Sequence, residues 1–577
     1  MRKTLMILSV LLLLAAVSAY SADKIGPRTE NLPFIVGNEP LPEVPYNPSE
    51  PGLITDSPGE IVGSTQYDYQ TNGSTGSRIV LDSQGGVHFA WMNGTSYPTT
   101  REIDYNYVDA DDNWLVPEQG VTVSEQNGAG YVQLGLTSDN RAAVAYHQWN
   151  LANYSVLALD AFSGMGIFEY FDIPDMLSLR CYWPYIAVDR NDNIHILVNE
   201  QAPNAGDPHT MGYTRSVNGG ESWTNLARVD TLMTLCGVIV ASPVSDKVAI
   251  AYNHPLDFET QWRNSVYYIE SEDGLTWDFR QGKVDVTEYG SGGDSLFAYI
   301  DLDAIYDYND NLHLIWNAQW VTDAGVYYKT FLFHYSSENG AISEINSSDS
   351  LWVSGCEFGV WNRPITKMSL GVDEWNDLYA VYTQFDTSDC SAGGYANGDL
   401  YYQYSLDGGG GWSEPENVTN SPSPGCALGD CDSDHWASLA DKVVDNLRII
   451  YINDKDAGGI PQSEGTVTDN PVMYLEHTVY TGIDEAELEP RGFSLWQNYP
   501  NPFNARTNIE FELERSSAVN LAVFDITGAC VAVLHDGILD AGIHKVSWNA
   551  EEEASGVYYY KLATDAGIST RKMVFLK

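Results

Sequence analysis

Residues 186–198 carry the pattern that decides the fold; they read IAVDRNDNIHILV, from Ile186 to Val198. Two runs of β-forming residues flank an Asp/Asn-rich segment, and this combination predicts a β-hairpin with a tight turn. Closely similar stretches occupy residues 79–91 and 304–316, and weaker copies occupy residues 134–146, 238–252, 369–382 and 438–451. Seven hairpins spaced about 50–70 residues apart predict a repeat architecture, and strands alone at that period are typical of propeller blades.

The composition of the 577-residue chain fits such an all-β protein and excludes several functions. The chain has 79 acidic and 29 basic side chains, a formal net charge of −50, which disfavours binding to nucleic acids or to an anionic membrane surface. Hydrophobic residues make up 44% of the chain, enough for a substantial core. The 37 Tyr, 16 Trp, 50 Gly and 25 Pro favour strands and turns.

The N-terminal region has the features of an export signal. Met1-Arg2-Lys3 is basic, Leu5 to Val17 is apolar but short for a membrane span, and small residues follow, so residues 1–22 are predicted to be a signal peptide. Residues 23–60, rich in Pro, Glu, Asn and Gly, are expected to form an extended leader or linker. No later stretch approaches the ~20 apolar residues of a membrane helix, so we expect an exported protein without a transmembrane segment.

A second element follows several of the hairpins. Its three copies are Ser216-Val-Asn218-Gly219-Gly220-Glu-Ser-Trp223, Ser271-Glu-Asp273-Gly274-Leu-Thr-Trp277 and Ser405-Leu-Asp407-Gly408-Gly409-Gly-Gly-Trp412. They resemble the Asp-box, S-x-D-x-G-x-x-W, of sialidase-like propellers. An Asp or Asn side chain binds nearby backbone N–H groups and Gly adopts the left-handed turn, which indicates a structural role. In the resembling families the box lies away from the active site.

The hairpin count predicts a propeller over residues 61–481. Seven copies indicate seven blades, while six, the number in true sialidases, remains the alternative if one weak copy is spurious. The strand-like segment Ile61 to Tyr69 is expected to pair with residues 472–480 and to close the ring.

The C-terminal region has a different pattern. After an acidic linker at residues 482–492, period-two alternation over residues 493–577 predicts a small immunoglobulin-like β-sandwich. The motifs Tyr499-Pro-Asn-Pro-Phe503-Asn504, Gly542-Ile-His544-Lys-Val-Ser-Trp548 and Arg571-Lys572-Met573-Val574 resemble the C-terminal sorting domain of the type IX secretion system. The resemblance implies passage through the periplasm and outer membrane, contact with the secretion machinery, and a secreted or surface-associated protein.

Candidate binding residues precede the innermost strands, a position that lines the mouth of a propeller. Arg78, Arg180 and Arg363 lie there, and a guanidinium binds both oxygens of a carboxylate. The same loops carry Trp183, His435 and Trp436. An anion-binding trio is therefore one hypothesis, and ordinary pairing of each arginine with local acids is the other. The F/Y-R-I-P opening of sialidases is absent.

Three further signals are local. Each of His88, His195 and His313 lies six residues after an aspartate (Asp82, Asp189 and Asp307), which predicts an Asp–His contact across each hairpin. Asp430, Asp432 and Asp434 have the alternate spacing of a calcium loop, although His435 stands where such loops have Gly. Calcium is the only cofactor that the sequence suggests. Cys426 and Cys431 are close enough to close a small disulfide loop.

These observations leave three hypotheses for function. The first is a non-catalytic sialidase-like propeller that binds an extracellular glycan or protein. The second is an exo-acting glycoside hydrolase on anionic sugars that uses the three arginines as a clamp. The third is a structural surface protein.

Overall fold

The computed structural model describes most of the chain from residue 55 onward. Residues 55–479 and 493–577 are described, apart from residues 72, 97–99, 149–154, 176–180, 201–208, 258–260, 291–295, 323–324, 349–355, 360, 497, 514, 526–528, 551–552 and 565–566. The predicted signal peptide, residues 23–54 of the leader and the linker at 482–492 lie outside the described residues. The chain divides into two compact units, one that ends at Thr478 and one from Val479 to Lys577.

The first unit consists of an N-terminal strand, β1 (Glu60–Thr65), and seven consecutive strand sets, numbered here in chain order. Set 1 is β2 (Ile79–Leu81), β3 (Val87–Ser96), β4 (Thr100–Val108) and β5 (Val121–Thr122); set 2 is β6 (Ala129–Leu136), β7 (Ala142–Gln148), β8 (Ser155–Asp160) and β9 (Phe168–Asp172). Set 3 is β10 (Cys181–Val188), β11 (Ile194–Glu200), β12 (His209–Ser216) and β13 (Ala227–Met233); set 4 is β14 (Gly237–Ala241), β15 (Val248–Pro255), β16 (Asn264–Ser271) and β17 (Val284–Asp285).

The remaining sets complete the unit. Set 5 is β18 (Leu296–Tyr306), β19 (Leu312–Thr322), β20 (Gly325–Ser336) and β21 (Ala341–Ser347); set 6 is β22 (Ile365–Val372), β23 (Leu378–Cys390), β24 (Ala396–Ser405) and β25 (Glu416–Asn417). Set 7 is β26 (Ser433–Leu439), β27 (Asn446–Asp454) and β28 (Asn470–Thr478). The one helical element among the described residues is a 3₁₀ turn, Ile460–Gln462.

Hydrogen-bonded pairing confirms the predicted hairpins. In all seven sets the first two strands are antiparallel partners, at the positions that the sequence repeat indicates. Strand β1 pairs with β28, with Glu60 opposite Tyr474 and Thr65 opposite Asn470, as expected for ring closure. Sets 4 and 5 form one eight-stranded sheet because Asn264 pairs with Ala298.

The first strands of the sets follow one another around a central cavity. Each packs against the first strand of the next set, from β2 to β26, and β2 also contacts β27. The cavity has a volume of about 240 Å³ and is lined mainly by aliphatic side chains of β2, β6, β10, β14 and β18. Alternate residues of the strands fill the space between neighbouring sets, so burial of apolar area holds the ring together. The first unit is therefore propeller-like.

The Asp–His prediction is confirmed at the hairpin turns. His195 Nε2 lies 3.2 Å from Asp189 Oδ2, and the corresponding distances are 3.4 Å for His313 and Asp307 and 3.6 Å for His88 and Asp82. The second ring nitrogen of His195 lies 2.8 Å from the Tyr213 hydroxyl. Each aspartate also accepts backbone N–H groups of its own turn. These pairs stabilise the turns at this end of the sets, here called the turn end.

The three box-like segments are also self-contained turns at this end. Ser405 Oγ donates to Asp407 Oδ1 at 2.8 Å and accepts the Gly409 N–H at 2.8 Å, while Asp407 accepts the Gly411 N–H. Ser216 and Asn218 make the equivalent contacts. In the third segment Ser271 donates to Asp273, which accepts the Leu275 N–H. Trp223, Trp277 and Trp412 pack against apolar residues of the core.

The second unit contains two sheets that share one core. One sheet is β29 (Phe493–Leu495), β30 (Arg506–Leu513) and β33 (Gly542–Asn549); the other is β31 (Ser517–Asp525), β32 (Cys530–Leu539), β34 (Gly556–Thr564) and β35 (Gly567–Phe575). Two asparagines hold the Tyr499–Asn504 motif in place: Asn498, directly before it, donates to Thr507, and Asn501, within it, accepts the Val574 N–H. Trp548 is buried against Phe503 and Tyr558, whereas His544 lies over Phe511.

The cysteines follow the sequence prediction where it was specific. Cys426 and Cys431 form the small disulfide loop, and Cys356 pairs with Cys390. Cys181 and Cys236 are buried thiols, and Cys530 is exposed. Among the described residues there is no helix of the length and apolarity that a membrane crossing requires.

Candidate functional site at the mouth of the ring

The mouth is the end of the ring at which first strands begin, second strands end and third strands begin. In set 3, for example, Cys181 pairs with Glu200, which pairs with Thr210. The sequence predicts candidates before the first strands, and the start of the third strands brings further side chains to the same end. The mouth therefore contains more candidate residues than the sequence singled out.

A segment of the chain itself crosses the mouth. Residues 66–75, described except for Asn72, connect β1 to β2 and are almost wholly buried. Tyr69 packs against Trp436 of set 7, with ring centroids 4.6 Å apart, and Ser74 Oγ lies 3.2 Å from Cys236 Sγ beside set 4. This crossing segment covers the middle of the ring, so an external ligand meets the side of the mouth rather than its centre.

The predicted arginines do not form one clamp in the described structure. Arg78 is fully buried and donates from Nη2 to the Trp436 carbonyl in set 7. Arg363 is also buried, but it donates to Gln319 in set 5 and lies 4.1 Å from the ring centroid of Tyr299. Arg180 lies outside the described residues. The contacts of Arg78 and Arg363 thus assign them to different surroundings beneath the surface.

The other three predicted residues are buried as well. Trp183 packs against Tyr182 and His209, at ring-centroid distances of 5.3 and 5.6 Å. Trp436 lies between Tyr69 and the ammonium group of Lys367, which is 4.6 Å from its ring. Burial, together with the charges of Lys367 and Arg78, lowers the pKa of His435 to about 3, so this imidazole is neutral at pH 7.

Next to His435 lies a pair of buried carboxyl groups. His435 Nε2 is 3.5 Å from Asp454 Oδ2. Burial raises the pKa values of Asp68 and Asp454 well above the usual range, and a neighbouring carboxylate adds to the effect in each case, Asp454 for Asp68 and Asp456 for Asp454. Asp68 is held by the Ile460 N–H at 2.9 Å. This cluster links the crossing segment to set 7 and is closed to large ligands.

The calcium prediction finds no support in the contacts of its residues. Asp432 pairs with Lys455 at 2.8 Å, and Asp434 is surrounded by Ser57, Ser421 and Asn453 at hydrogen-bonding distance. Burial raises the pKa of Asp434 to about 7, whereas a calcium ligand must be ionised. No group of three potential metal-ligating residues occurs within the described ranges.

One accessible cationic group lies at the mouth between sets 1 and 2. Arg101, at the start of β4, is partly exposed, and its guanidinium carbon lies 5.7 Å from the ring centroid of Tyr67 and 5.6 Å from that of Tyr131. Arg101 Nε donates to the Ala129 carbonyl at 2.7 Å, and Nη2 lies 3.3 Å from His147 Nε2. No Asp or Glu oxygen of the described residues lies within 4.0 Å of this guanidinium.

The partner of Arg101 is a fully buried histidine at the end of β7. Burial and the charge of Arg101 lower the pKa of His147 well below its usual range, so the ring is neutral and can accept a hydrogen bond. The rings of Tyr131 and Tyr182 lie 5.3 and 6.3 Å from it. Arg101, His147 and these aromatic rings are called the Arg101 cluster below.

The close approach of Arg101 and His147 depends on a glycine between them. A Cβ atom on Gly130 would lie 3.1 Å from both Arg101 Nε and His147 Cε1, closer than nearly all real Cβ contacts. Gly130 pairs with His147 across the hairpin, and Tyr131 follows it with a positive φ of 56°. The bulge at Tyr131 turns its ring toward Arg101, and Gly130 leaves room for both side chains.

Strand register shows that His147 departs from the repeat. In four sets the first strand contains a bulge residue with a positive φ. The residue directly before the bulge pairs with a residue of the second strand, and these partners are His147, Asn199, Thr383 and Ile452. The bulge residues are Tyr131, Trp183, Lys367 and Trp436. Among these four sets, only set 2 has a histidine at this position, and this histidine contacts an arginine that has no carboxylate partner among the described residues.

Residues 497–576 match the family described as the secretion system C-terminal sorting domain. The protein is therefore exported by type IX secretion to the cell surface or beyond it, and its second unit engages that machinery. No curated protein sequence matches the chain.

Solved structures similar to the chain at very low identity include carbohydrate-active enzymes and also an acylaminoacyl peptidase of Pyrococcus horikoshii. A polysaccharide lyase described as an ulvan lyase is 10% identical, with a TM-score of 0.48, over 73% of this chain and 96% of that one. An α-L-arabinanase of Penicillium chrysogenum is 9% identical (TM-score 0.38; 73% and 98% covered), and a Hadza microbial sialidase is 12% identical (TM-score 0.34; 67% and 74% covered).

Proposed function

We propose that the first unit is a seven-bladed β-propeller that binds an anionic glycan outside the cell, with the Arg101 cluster as its binding site. Each strand set is one blade, and β1 completes the seventh. The turns at Ser216, Ser271 and Ser405 are Asp-boxes that stabilise the turn end, and the second unit is an immunoglobulin-like sandwich that directs export. In this proposal the protein acts as a binding module.

The observation that carries the proposal is the environment of Arg101. The chain has a net charge of −50, and several of its arginines are paired with carboxylates; Arg190, for instance, lies 3.0 Å from Asp246. Arg101 instead lies between two tyrosine rings and a neutral imidazole. A guanidinium held in this way presents N–H donors to a carboxylate, and aromatic rings beside it stack on sugar faces.

The proposal is tested by titration calorimetry on the full-length protein. The anionic probes are oligosaccharides of alginate, pectate and chondroitin sulfate, and the neutral ones are oligosaccharides of cellulose and arabinan. Arg101→Gln should weaken binding of the anionic probe at least about tenfold, the value of a charged hydrogen bond, and Arg101→Lys should be intermediate because it keeps the charge and loses the planar donors.

The matched control is Arg190→Gln, which removes an exposed arginine at the turn end. It should bind like the wild-type protein. Anionic binding that survives in Arg101→Gln would contradict the proposed site, and no binding of any probe by the wild-type protein would favour a purely structural surface protein.

A second candidate function, cleavage of the bound glycan, is favoured by His147. A neutral imidazole beside a guanidinium can accept a proton while the cation stabilises charge that develops on a carboxylate-bearing sugar. A glycoside hydrolase, in contrast, uses two carboxyl groups that flank the scissile bond. Incubation with each probe distinguishes the outcomes: elimination produces new reducing ends and ultraviolet-absorbing unsaturated ends, hydrolysis produces reducing ends alone, and a binding module leaves chain length unchanged.

A further inference from the structure

Arg78 is a buried cation that lacks a counter-charge. It precedes β2 between sets 1 and 7, and none of its surface is exposed. Its backbone N–H donates to Ser438 Oγ at 3.0 Å, and its Nη2 donates to the Trp436 carbonyl. Within the described part of the chain, Nε and Nη1 have no hydrogen-bond partner.

The surroundings of Arg78 add positive rather than negative charge. No carboxylate of the described residues lies within 4.0 Å of its guanidinium. Arg78 and Lys367 both act on His435, which is uncharged, and the Lys367 ammonium is 2.9 Å from Asp301 and thus already neutralised. Asp454 faces His435, and its pKa is raised well above the usual range by burial. This part of the ring therefore carries an excess of positive charge.

Such an arrangement is costly without a ligand. A guanidinium removed from water without an anion loses much of its solvation free energy. Burial lowers the pKa of Arg78 to about 9, so the group is still charged at neutral pH. Arg363, the other buried arginine among the described residues of this unit, donates to two neutral oxygens and lies against the Tyr299 ring.

We propose that Arg78 holds a small inorganic anion of the chloride class inside the ring. The Nε–H and Nη1–H groups are the donors, and the crossing segment above them excludes a sugar or peptide carboxylate. Gly76 and Ser77, directly before Arg78, line the central cavity, which gives a small ion a route to this position. The anion would join sets 1 and 7, the place where the ring closes.

Thermal unfolding of the full-length protein tests this site. Sodium chloride and sodium gluconate are compared at equal ionic strength, because gluconate is too large for an enclosed position. The wild-type Tm should be higher in chloride by about 2 °C or more and should rise with chloride concentration. Arg78→Met should abolish the difference, whereas Arg190→Met, which removes an exposed paired arginine, should retain it. Equal Tm values of the wild-type protein in the two salts would overturn the proposal.

A second measurement does not depend on the folding of the variant. Crystals of the wild-type protein grown in sodium bromide should show an anomalous scattering peak within hydrogen-bonding distance of Arg78 Nε and Nη1. Bromide peaks confined to the protein surface, with water beside Arg78, would also overturn the proposal.

Discussion

His195 and His147 are both fully buried histidines of second strands, in neighbouring sets, but they lie at opposite ends of the ring. His195 is bound by Asp189 on one side and Tyr213 on the other, and sets 1 and 5 repeat this Asp–His arrangement. His147 faces Arg101, and the equivalent positions in sets 3, 6 and 7 carry other residue types. Residues at repeated positions therefore stabilise the ring, whereas residues that differ from the repeat form the candidate site.

The largest effect is expected at the turn end. His195→Ala removes a buried ring together with its contacts to the Tyr213 hydroxyl and to Asp189 Oδ2, so the free energy of unfolding should fall by about 3 kcal/mol. Urea denaturation followed by tryptophan fluorescence measures this change, and glycan affinity of the folded variant should stay at the wild-type value. A loss of less than about 1 kcal/mol would show that the repeated pair contributes little.

His147→Asn should have the opposite profile. It introduces the residue of set 3 at the equivalent position, so the free energy of unfolding should change by only about 1 kcal/mol. Affinity for the anionic oligosaccharide should fall about tenfold because Arg101 loses the group that positions it. Calorimetric titration and urea denaturation of the same preparation give both values. Unchanged affinity would remove His147 from the site.

The pH dependence of stability sharpens this contrast. The pKa of His147 in the folded protein lies below that of the unfolded chain, about 6.5, so the unfolded chain takes up a proton first on acidification. This residue therefore reduces stability as the pH falls below about 6.5. Between about pH 7.5 and about pH 5.5, the wild-type protein should lose about 1 kcal/mol more than His147→Asn. Parallel curves for the two proteins would contradict the lowered pKa.

The smallest effect is expected in the box-like turns. Ser405→Ala removes the acceptor of the Gly409 N–H and the donor to Asp407, in a turn whose tip is exposed at Leu406 and Asp407. A loss of ~0.5 kcal/mol in the free energy of unfolding is expected, with wild-type glycan affinity. Reduced affinity in this variant would place part of the binding site at the turn end.

The sequence predicts the fold well because each hairpin carries its own local signal. The Asp/Asn-rich turns, the Asp–His spacing and the pairing of the first strand with residues 472–480 follow from short segments, and the structure confirms them. The C-terminal sorting domain could also be predicted from the sequence, because short motifs that contain asparagines and a tryptophan stabilise its fold.

The candidate site could not be predicted from the sequence in the same way. Arg101 and His147 are 46 residues apart, and only strand register and the bulge at Tyr131 bring them together. The predicted residues Arg78, Arg363, Trp183, His435 and Trp436 do lie toward the mouth, but burial beneath the crossing segment and neighbouring side chains removes them from its surface. The position of a residue just before an innermost strand predicts the end of the ring at which the residue lies. It does not predict whether the side chain is exposed.

The most direct test is the crystal structure of the full-length protein with the anionic oligosaccharide that binds best in the titrations. The ligand carboxylate should accept hydrogen bonds from Arg101, with sugar rings against Tyr67 or Tyr131. A ligand bound at the turn end, or beside Asn199, Thr383 or Ile452 and away from Arg101, would contradict the claim that the departure from the repeat in set 2 marks the binding site.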